Sequence, residues 1–290
     1  MIIVTGASGK LGSRIVHRLL ARTSPDRIGV SVRDPDQLSD LAARGVRVRY
    51  GDFNDAASLR SAFEGGERIL LVSSNAAASG GDPLAQHRTA IDVAAEIGVE
   101  RLFYTSQMSA APDSHFFPGR THAATEDMLA ASGLAWTSMR HGYYAESALA
   151  MNRAAGFESG VLAAPRDGKV AWTTHDDLAE ADATLLLGEE TIDGPTEVLT
   201  GDETLDLTDL ARLISEIEGR SVRREVIEDD AFRANARERG MPDGAVAFIM
   251  GYYLAARAGE FAATSPLLER LIGRKPQTMR DVLAGRAEQA

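Results

Sequence analysis

The chain has 290 residues, of which 44% are hydrophobic and 25% charged, and these proportions are typical of a globular protein. Its formal net charge of −11 argues against a general DNA or RNA binder, which needs a basic face to replace counterions. It has no cysteine, so disulfides, thiolate metal sites and cysteine nucleophiles are excluded. The chain opens on a strand pattern, MIIVTG, and no apolar run approaches the ~20 residues of a membrane span. We therefore expect a cytoplasmic protein without a signal peptide or membrane contact.

Apolar or β-branched segments alternate with segments of helical periodicity through the first half of the chain. The predicted strands cover residues 2–5, 27–32, 46–50, 68–73, 101–106 and 134–140. The predicted helices cover residues 11–22, 35–44, 55–64, 83–97 and 121–132. This alternation indicates right-handed βαβ units. It predicts an α/β fold with a Rossmann-type, doubly wound parallel sheet.

After residue 140 the alternation is looser. The predicted helices there cover 174–188, 206–218 and 228–260, and the strand candidates are 196–200 and 222–227. We interpret residues 1–140 as the Rossmann domain and 141–290 as a smaller, mostly helical substrate domain. Segments of residues 165–200 are expected to return to the first domain.

The stretch GASGKLG, residues 6–12, follows the first predicted strand and opens a helix. Its glycines allow a tight turn and a close approach to a pyrophosphate, which the helix amino terminus attracts. A structural turn without a ligand is the alternative, but the order of strand, loop and helix favours a dinucleotide site. The predicted contacts are Gly6, Ser8, Gly9, Lys10, Leu11 and Gly12.

The end of the second predicted strand, GVSVRDP, bears on the choice of dinucleotide. An arginine there can clamp the extra phosphate of NADP, whereas an acid accepts from the ribose hydroxyls of NAD. Arg33 stands at that place and Lys10 adds a positive charge, so we favour NADPH. Asp34 follows directly, which leaves NADH open, and a solvated Arg33 is the plain alternative.

The ends of the next strands carry further cofactor candidates, because ligands of open α/β sheets lie outside the carboxyl ends of the strands. Each residue taken alone could also serve only its turn. The candidates are Asp52, Phe53, Ser73, Ser74, Asn75, Thr105 and Ser106.

A Tyr-x-x-x-Lys pair, the proton-donating dyad of the usual short-chain reductases, is absent. None of the six tyrosines, at positions 50, 104, 143, 144, 252 and 253, has a lysine four residues later. Hydride transfer to an isolated ketone leaves an alkoxide, which needs a positioned acid. Ordinary ketone reduction is therefore not expected.

Several stretches together resemble the NmrA-like family of atypical short-chain dehydrogenase/reductases, in particular its bacterial type-2 NADPH:quinone oxidoreductases and triphenylmethane reductases. They are GASGKLG, VRDP, YGDFND, QHR (86–88), YTS (104–106), HAATE (122–126), RHGYYAE (140–146) and LIGRKPQT (271–278). The resemblance runs nearly end to end. It implies an NADPH-binding Rossmann domain, a small carboxyl-terminal domain with a substrate cleft between them, and reductases without the tyrosine–lysine pair.

That implication fits the missing dyad. A quinone becomes aromatic on reduction and delocalises its charge, so it needs little help from an acid. We expect an NAD(P)H-dependent reductase that transfers hydride to a small aromatic or quinone-like acceptor, with no metal and no flavin. The alternative is an NmrA-like dinucleotide-binding redox sensor without turnover. Scattered histidines without metal-ligand spacing argue against a metal site.

The resemblance also indicates residues near the acceptor. His122 falls where the family carries a histidine and could donate a proton, since histidine has a pKa in the useful range; a helix-start histidine bonded to a loop is equally compatible. Tyr144 matches a family aromatic that could stack on a flat substrate, or simply pack. His141 stands where relatives usually have asparagine. Gln107 and Met108 extend a strand end toward the nicotinamide, with packing as the default.

Overall fold

The computed structural model describes residues 1–152 and 159–287. The strands are β1 (Ile2–Thr5), β2 (Ile28–Val32), β3 (Arg47–Tyr50), β4 (Arg68–Leu71), β5 (Arg101–Gln107), β6 (Trp136–His141), β7 (Tyr143–Tyr144), β8 (Val161–Pro165), β9 (Trp172–Thr173), β10 (Gly194–Pro195) and β11 (Arg223–Ile227). Seven of them form one sheet in the order β10-β6-β5-β4-β1-β2-β3, in which every neighbouring pair is parallel. The strand order reverses beside β1, which is the arrangement of a Rossmann-type sheet. The predicted fold class is confirmed.

Helices cover both faces of this sheet. The helices of the described residues, on the sheet and beyond it, are α1 (Lys10–Leu20), α2 (Ser39–Ala43), α3 (Ala56–Phe63), α4 (Pro83–Glu96), α5 (Phe117–Ala130), α6 (Ala145–Asn152), α7 (His175–Leu187), α8 (Leu207–Glu218), α9 (Asp229–Glu238), α10 (Asp243–Arg257), α11 (Leu267–Ile272) and α12 (Met279–Ala287). One core joins the sheet to α1, α7 and α11, and the core on the opposite face joins it to α3, α4 and α5. Strands β1 and β2 are buried at every position, as expected for strands covered on both faces.

A third core lies outside the large sheet and is built mostly from the carboxyl-terminal half. Its centre is aromatic: the rings of Tyr143, Tyr252 and Phe261 lie with centroids 4.9 to 5.6 Å apart. Two small sheets, β7 with β9 and β8 with β11, belong to this half. The boundary at residue 140 stays a prediction, and α7 and β10 are the segments of 165–200 that lie against the large sheet.

Several predicted elements have different bounds in the structure. Helix α5 begins at Phe117, four residues before the predicted start, because Pro118 is tolerated in a first helical turn. The single helix predicted over 228–260 is wrong, since Gly240, with φ +79°, and Pro242 separate α9 from α10. The strand predicted at 196–200 is also misplaced. Regular pairing to β6 ends at Pro195, which has no N–H for the ladder, and Leu199 makes only an isolated bridge.

No helix in the described parts of the chain is both long and apolar enough to cross a membrane.

Candidate active site

The glycine loop forms a cradle between β1 and α1. Gly6 adopts φ +60°, which favours glycine, and a Cβ on Gly12 would lie 2.4 Å from the Gly6 carbonyl oxygen. Gly9 caps α1 without any side-chain hydrogen bond, so the first N–H groups of the helix remain available to an anion. Leu11 is buried and anchors the helix, while Lys10 is exposed beside the loop. This geometry fits a pyrophosphate, as does the exposed Ser8.

Beyond β2 the two charged neighbours have different surroundings. Arg33 is exposed and makes no hydrogen bond or ion pair to any residue in ranges 1–152 and 159–287. Asp34 accepts a hydrogen bond from Gln37 Nε2 at 2.8 Å. The arginine thus remains available to a ligand phosphate, whereas the aspartate already has a partner within its own turn.

The turn after β3 is held by Asp52. Its Oδ1 accepts from the Asn54 backbone N–H at 2.8 Å and from Asn54 Nδ2 at 3.1 Å, and Phe53 packs partly buried against the core of that face. Asn54 Oδ1 in turn accepts from Gln86 Nε2 at 3.1 Å. The side chains after β3 are thereby connected to α4.

The turn after β4 is fixed by neighbouring elements. The Ser73 N–H donates to Thr105 Oγ1 at 2.8 Å, and the Ser74 N–H donates to His87 Nε2 at 2.9 Å. Ser74 Oγ also donates to Gln86 Oε1. Asn75 follows, exposed, at the start of a short 3-10 turn. Gln86 and His87 lie in the first turns of α4, but the residue that caps this helix is Asp82. Gln86 and His87 instead fix the turn after β4 through their hydrogen bonds to Ser74.

His87 is neutral and its tautomer follows from its partners. Its Nδ1 lies 2.9 Å from Thr125 Oγ1, and that hydroxyl already donates to the Thr121 carbonyl at 2.8 Å. Nδ1 therefore carries the proton and Nε2 accepts from the Ser74 N–H. Burial lowers the pKa of His87 to about 4.

His122 lies on α5, one turn and a half from its start, and contacts β5. Its Nδ1 is 2.7 Å from the hydroxyl of Tyr104, whose side chain is fully buried. Burial, with smaller contributions from the neighbouring His87 and His141, lowers the pKa of His122 to about 3. The expectation of a pKa in the useful range is therefore wrong, because the surrounding protein disfavours the imidazolium.

Glu126, the last residue of HAATE, fastens α5 to the sheet. Its buried carboxylate accepts from Ser106 Oγ and Ser138 Oγ, both at 2.8 Å, and pairs with Arg140. The hydrogen bond to Glu126 raises the pKa of Arg140. Ser106 was expected to bind the cofactor, but its hydroxyl points into this network; Thr105, on the opposite face of β5, instead supports Ser73.

Of the residues expected near the acceptor, two are used in packing or in a buried pair, and two could still contact a ligand. Met108 is buried in the aromatic carboxyl-terminal core and His141 Nε2 lies 2.9 Å from the buried Asp182 Oδ1, so both have structural contacts. Gln107 Oε1 accepts from the Ser109 N–H at 2.7 Å, and its buried Nε2 has no partner among the described residues. Tyr144 is partly buried, with its ring 4.2 Å from that of His175.

The stretch LIGRKPQT makes structural contacts with α7. Asp177, buried in the first turn of α7, pairs with Arg274 Nη2 at 2.7 Å and accepts from the Gln277 N–H at 2.7 Å. This motif therefore attaches the carboxyl-terminal segment to α7.

Sequence reasoning missed Tyr104, Glu126, Asp177 and Asp182 as single residues. Tyr104 and Glu126 lie inside the motifs YTS and HAATE, and this membership was the available signal for both. No group of three or more His, Asp or Glu side chains in residues 1–152 and 159–287 could hold a metal ion.

Comparisons with known proteins place this site in context. A family model described as NAD(P)H-binding matches residues 6–181. Quinone oxidoreductase 2 from Escherichia coli (strain K12) is 35% identical over 280 residues, which are 96% of this chain and 96% of that protein. A crystal structure of an NADPH-dependent quinone oxidoreductase from Escherichia coli, complexed with NADPH, has a TM-score of 0.91 and 34% identity, with 99% of this chain and 100% of that one covered.

Two further relatives agree with the predicted resemblance. An NmrA-like family domain-containing oxidoreductase from Aspergillus flavus is 30% identical over 288 residues, covering 97% of this chain and 93% of its own. The triphenylmethane reductase of Citrobacter sp., complexed with NADP(H), has a TM-score of 0.89 and 29% identity, with 99% and 100% of the two chains covered. The predicted resemblance is confirmed.

Proposed function

This chain belongs to the NAD(P)H-binding family whose model matches residues 6–181, and from that premise we propose that it is an NADPH-dependent reductase of quinones or similar conjugated acceptors. The observation that carries the proposal is the 35% identity to a quinone oxidoreductase over 96% of both chains. That similarity includes the carboxyl-terminal half as well as the glycine loop. Every relative described above is a reductase or oxidoreductase, so no observation favours the sensor alternative.

The chain's own residues support NADPH as the dinucleotide. The cradle of Gly6 and Gly12 brings the backbone close to a pyrophosphate, and Lys10 adds a positive charge beside it. Arg33, which has no hydrogen bond or ion pair to the described residues, follows β2 at the place where the extra phosphate of NADPH would lie. When bound, NADPH supplies the hydride.

Side chains after the other strands would line the same crevice. Asp52 and Phe53 lie where related proteins hold the adenine, and Ser73, Ser74 and Asn75 stand next to β1 on the adjacent strand end. Their turns are held by hydrogen bonds within the protein, so these positions are organised before a ligand binds. Such preorganisation reduces the ordering that binding requires.

An aromatic ring and a side-chain amide are the groups that can contact the acceptor. Tyr144, supported by His175 on one side of its ring, can stack on a flat acceptor with the other. The unpartnered Gln107 Nε2 can donate to an acceptor oxygen. His122 lies on the helix that carries the usual dyad in other short-chain reductases. This arrangement orients an acceptor that needs little acid assistance, and orientation can contribute ~7–11 kcal/mol at best.

The test is a turnover assay with the purified protein, NADPH and a panel of quinones, followed by the loss of NADPH absorbance. We expect quinone-dependent oxidation of NADPH, with slower oxidation of NADH, and a mixture without quinone serves as the control. Tight binding that discriminates oxidised from reduced dinucleotide, with no turnover of any quinone, would overturn the reductase proposal in favour of a sensor.

A further inference from the structure

The hydroxyl of Tyr104 lies between two groups that border the candidate site. Tyr104 Oη is 2.7 Å from His122 Nδ1 on α5 and 3.4 Å from Ser73 Oγ after β4. The tyrosine side chain has 0% exposure, and burial raises the pKa of its phenol, which therefore stays protonated. Its ring is also held edge-on by His87, with centroids 5.3 Å apart. These contacts place a fixed proton donor beside His122.

The other nitrogen of His122, Nε2, has no hydrogen-bond partner within residues 1–152 and 159–287. The side chain is only partly buried, in contrast to Tyr104 behind it. Nε2 is therefore the nitrogen that an acceptor can reach, while Nδ1 is occupied by the tyrosine hydroxyl.

Because His122 is neutral, it needs a second proton donor, such as Tyr104, before it can protonate an acceptor. Because burial lowers the pKa of His122 to about 3, its ring is neutral near pH 7 and carries a single proton. A neutral imidazole that gave up this proton alone would become an anion in a poorly solvated site, which is costly. It can donate from Nε2 only if Nδ1 receives a proton at the same time.

We propose that Ser73, Tyr104 and His122 form a proton relay that protonates the reduced acceptor, an inference that rests on the proposed reductase function. His122 touches the acceptor, and Tyr104 and Ser73 act through it as positioning and relay groups. The relay delivers a proton from solvent without placing a positive charge on His122.

The relay transfers one proton in each step, from solvent to the reduced quinone. A quinone that takes up a hydride gains two electrons and one proton and becomes a hydroquinone monoanion. His122 Nε2 gives that anion its proton, Nδ1 takes the proton of Tyr104 Oη, the phenolate oxygen takes the proton of Ser73 Oγ, and Ser73 is reprotonated by water. The product is the neutral hydroquinone, and His122 is left with its proton on Nδ1. After the product leaves, that proton returns to solvent through Tyr104 and Ser73 while Nε2 takes up a proton from water, so the net consumption is one hydride and one solvent proton.

A second type of acceptor distinguishes the loss of the relay from a structural defect in a Tyr104 variant. A cationic triphenylmethane dye accepts hydride at its central carbon and becomes a neutral leuco dye, so it needs no proton. Loss of the relay therefore slows the reduction of quinones and leaves that of the dye unchanged, whereas a structural defect impairs the reduction of both.

The experiment compares wild type, Tyr104→Phe and Tyr253→Phe with a quinone and with a cationic triphenylmethane dye. Tyr253 is the matched control, a buried tyrosine in the aromatic carboxyl-terminal half. General acid catalysis contributes ~10²–10⁴-fold to typical reactions, and a delocalised anion needs less, so we expect Tyr104→Phe to lower quinone kcat by about 10-fold or more. The solvent deuterium isotope effect on quinone reduction should change in that variant, and dye reduction should not. Tyr253→Phe should match wild type throughout.

Nitrogen-15 NMR of the cofactor-free protein tests the same relay without turnover. Wild type should show His122 with its proton on Nε2 and Nδ1 accepting a hydrogen bond, and Tyr104→Phe should shift the Nδ1 resonance. A wild-type proton on Nδ1 would overturn the relay, as would a Tyr104→Phe variant with wild-type quinone kcat and isotope effect, or with equal losses for quinone and dye. Failure of wild type to reduce any quinone has a different meaning, since it overturns the reductase proposal itself and the relay with it.

Discussion

His141 Nε2 lies 2.9 Å from Asp182 Oδ1, and neither side chain has any exposed surface. The pair joins the end of β6 to the middle of α7. His141 Nδ1 and Asp182 Oδ2 have no further partner among the described residues. Within residues 1–152 and 159–287, the hydrogen bond of each side chain is therefore the one to the other.

We expect His141→Leu to destabilise the protein strongly, because it leaves the Asp182 carboxylate buried without a partner. Breaking a buried pair typically costs about 3–5 kcal/mol, whereas replacing both partners with apolar residues is often neutral. The double variant His141→Leu/Asp182→Leu should therefore be more stable than His141→Leu alone. Urea unfolding of wild type, His141→Leu, Asp182→Leu and the double variant measures the four free energies, and strictly additive losses would show that the two side chains do not interact.

Gly12→Ala should weaken NADPH binding. The added Cβ would meet the Gly6 carbonyl oxygen at 2.4 Å, so the loop would have to move away from the helix that it caps. Overpacking of this kind costs ~1–3 kcal/mol, which corresponds to a roughly 5- to 100-fold weaker Kd if the whole loop is displaced. Fluorescence titration with NADPH measures the change.

The matched control for Gly12 is Gly244→Ala on α10, where an added Cβ has nothing within 4 Å. That variant should bind NADPH as wild type does. An unchanged Kd for Gly12→Ala would mean that the glycine loop does not hold the dinucleotide.

Arg33→Ala should weaken NADPH binding far more than NADH binding. A hydrogen bond to a charged group is worth ~1.5–3 kcal/mol, so we expect Kd for NADPH to rise about 10- to 100-fold. NADH lacks the extra phosphate and should bind the variant nearly as it binds wild type. Calorimetric titration with both dinucleotides provides the comparison.

Arg239→Ala serves as the control for Arg33, because Arg239 is an exposed arginine at the end of α9 in the carboxyl-terminal half. It should leave both affinities unchanged. Equal weakening of NADPH and NADH by Arg33→Ala would show that Arg33 does not hold the phosphate.

Local patterns in the sequence were enough to predict the sheet and the glycine loop. A buried strand follows from a continuous apolar run such as IIVT, and a tight loop follows from the glycines at 6, 9 and 12. Both depend only on residues close together in the chain. The departures arose where a proline or glycine changed a boundary, at Pro118 and at Gly240 with Pro242.

The contacts that determine side-chain roles could not be predicted in this way, because they join residues far apart in the chain. Nothing near His141 in sequence indicates its partner Asp182, 41 residues later. The low pKa of His122 likewise follows from how deeply α5 and β5 bury its ring, and a sequence carries no measure of that burial. The resemblance drew attention to HAATE, but only the structure shows that Glu126 is an anchor and that His122 contacts Tyr104.

The neutral His87 predicts how stability depends on pH. Burial holds its folded-state pKa at about 4, against an ordinary value of 6.5 in the unfolded chain. Above pH 6.5 both states are neutral and the contribution of His87 to stability is complete. Between pH 6.5 and about 4 the unfolded chain binds a proton that the folded protein does not, so the free energy of unfolding falls as the pH falls.

His87→Gln should remove this part of the pH dependence. The variant loses the hydrogen bonds to Ser74 and Thr125 and should be less stable at pH 7, but its free energy of unfolding should decline less steeply toward pH 4. The difference in free energy of unfolding between wild type and His87→Gln should change by roughly 3 kcal/mol between pH 7 and pH 4, because folding lowers the pKa of His87 by about 2.5 units. Urea unfolding at a series of pH values measures it, with the exposed His17→Gln as control. His17→Gln, a substitution on the exposed surface, should run parallel to wild type. A parallel curve for His87→Gln would mean that burial does not lower the pKa of His87 in the folded protein.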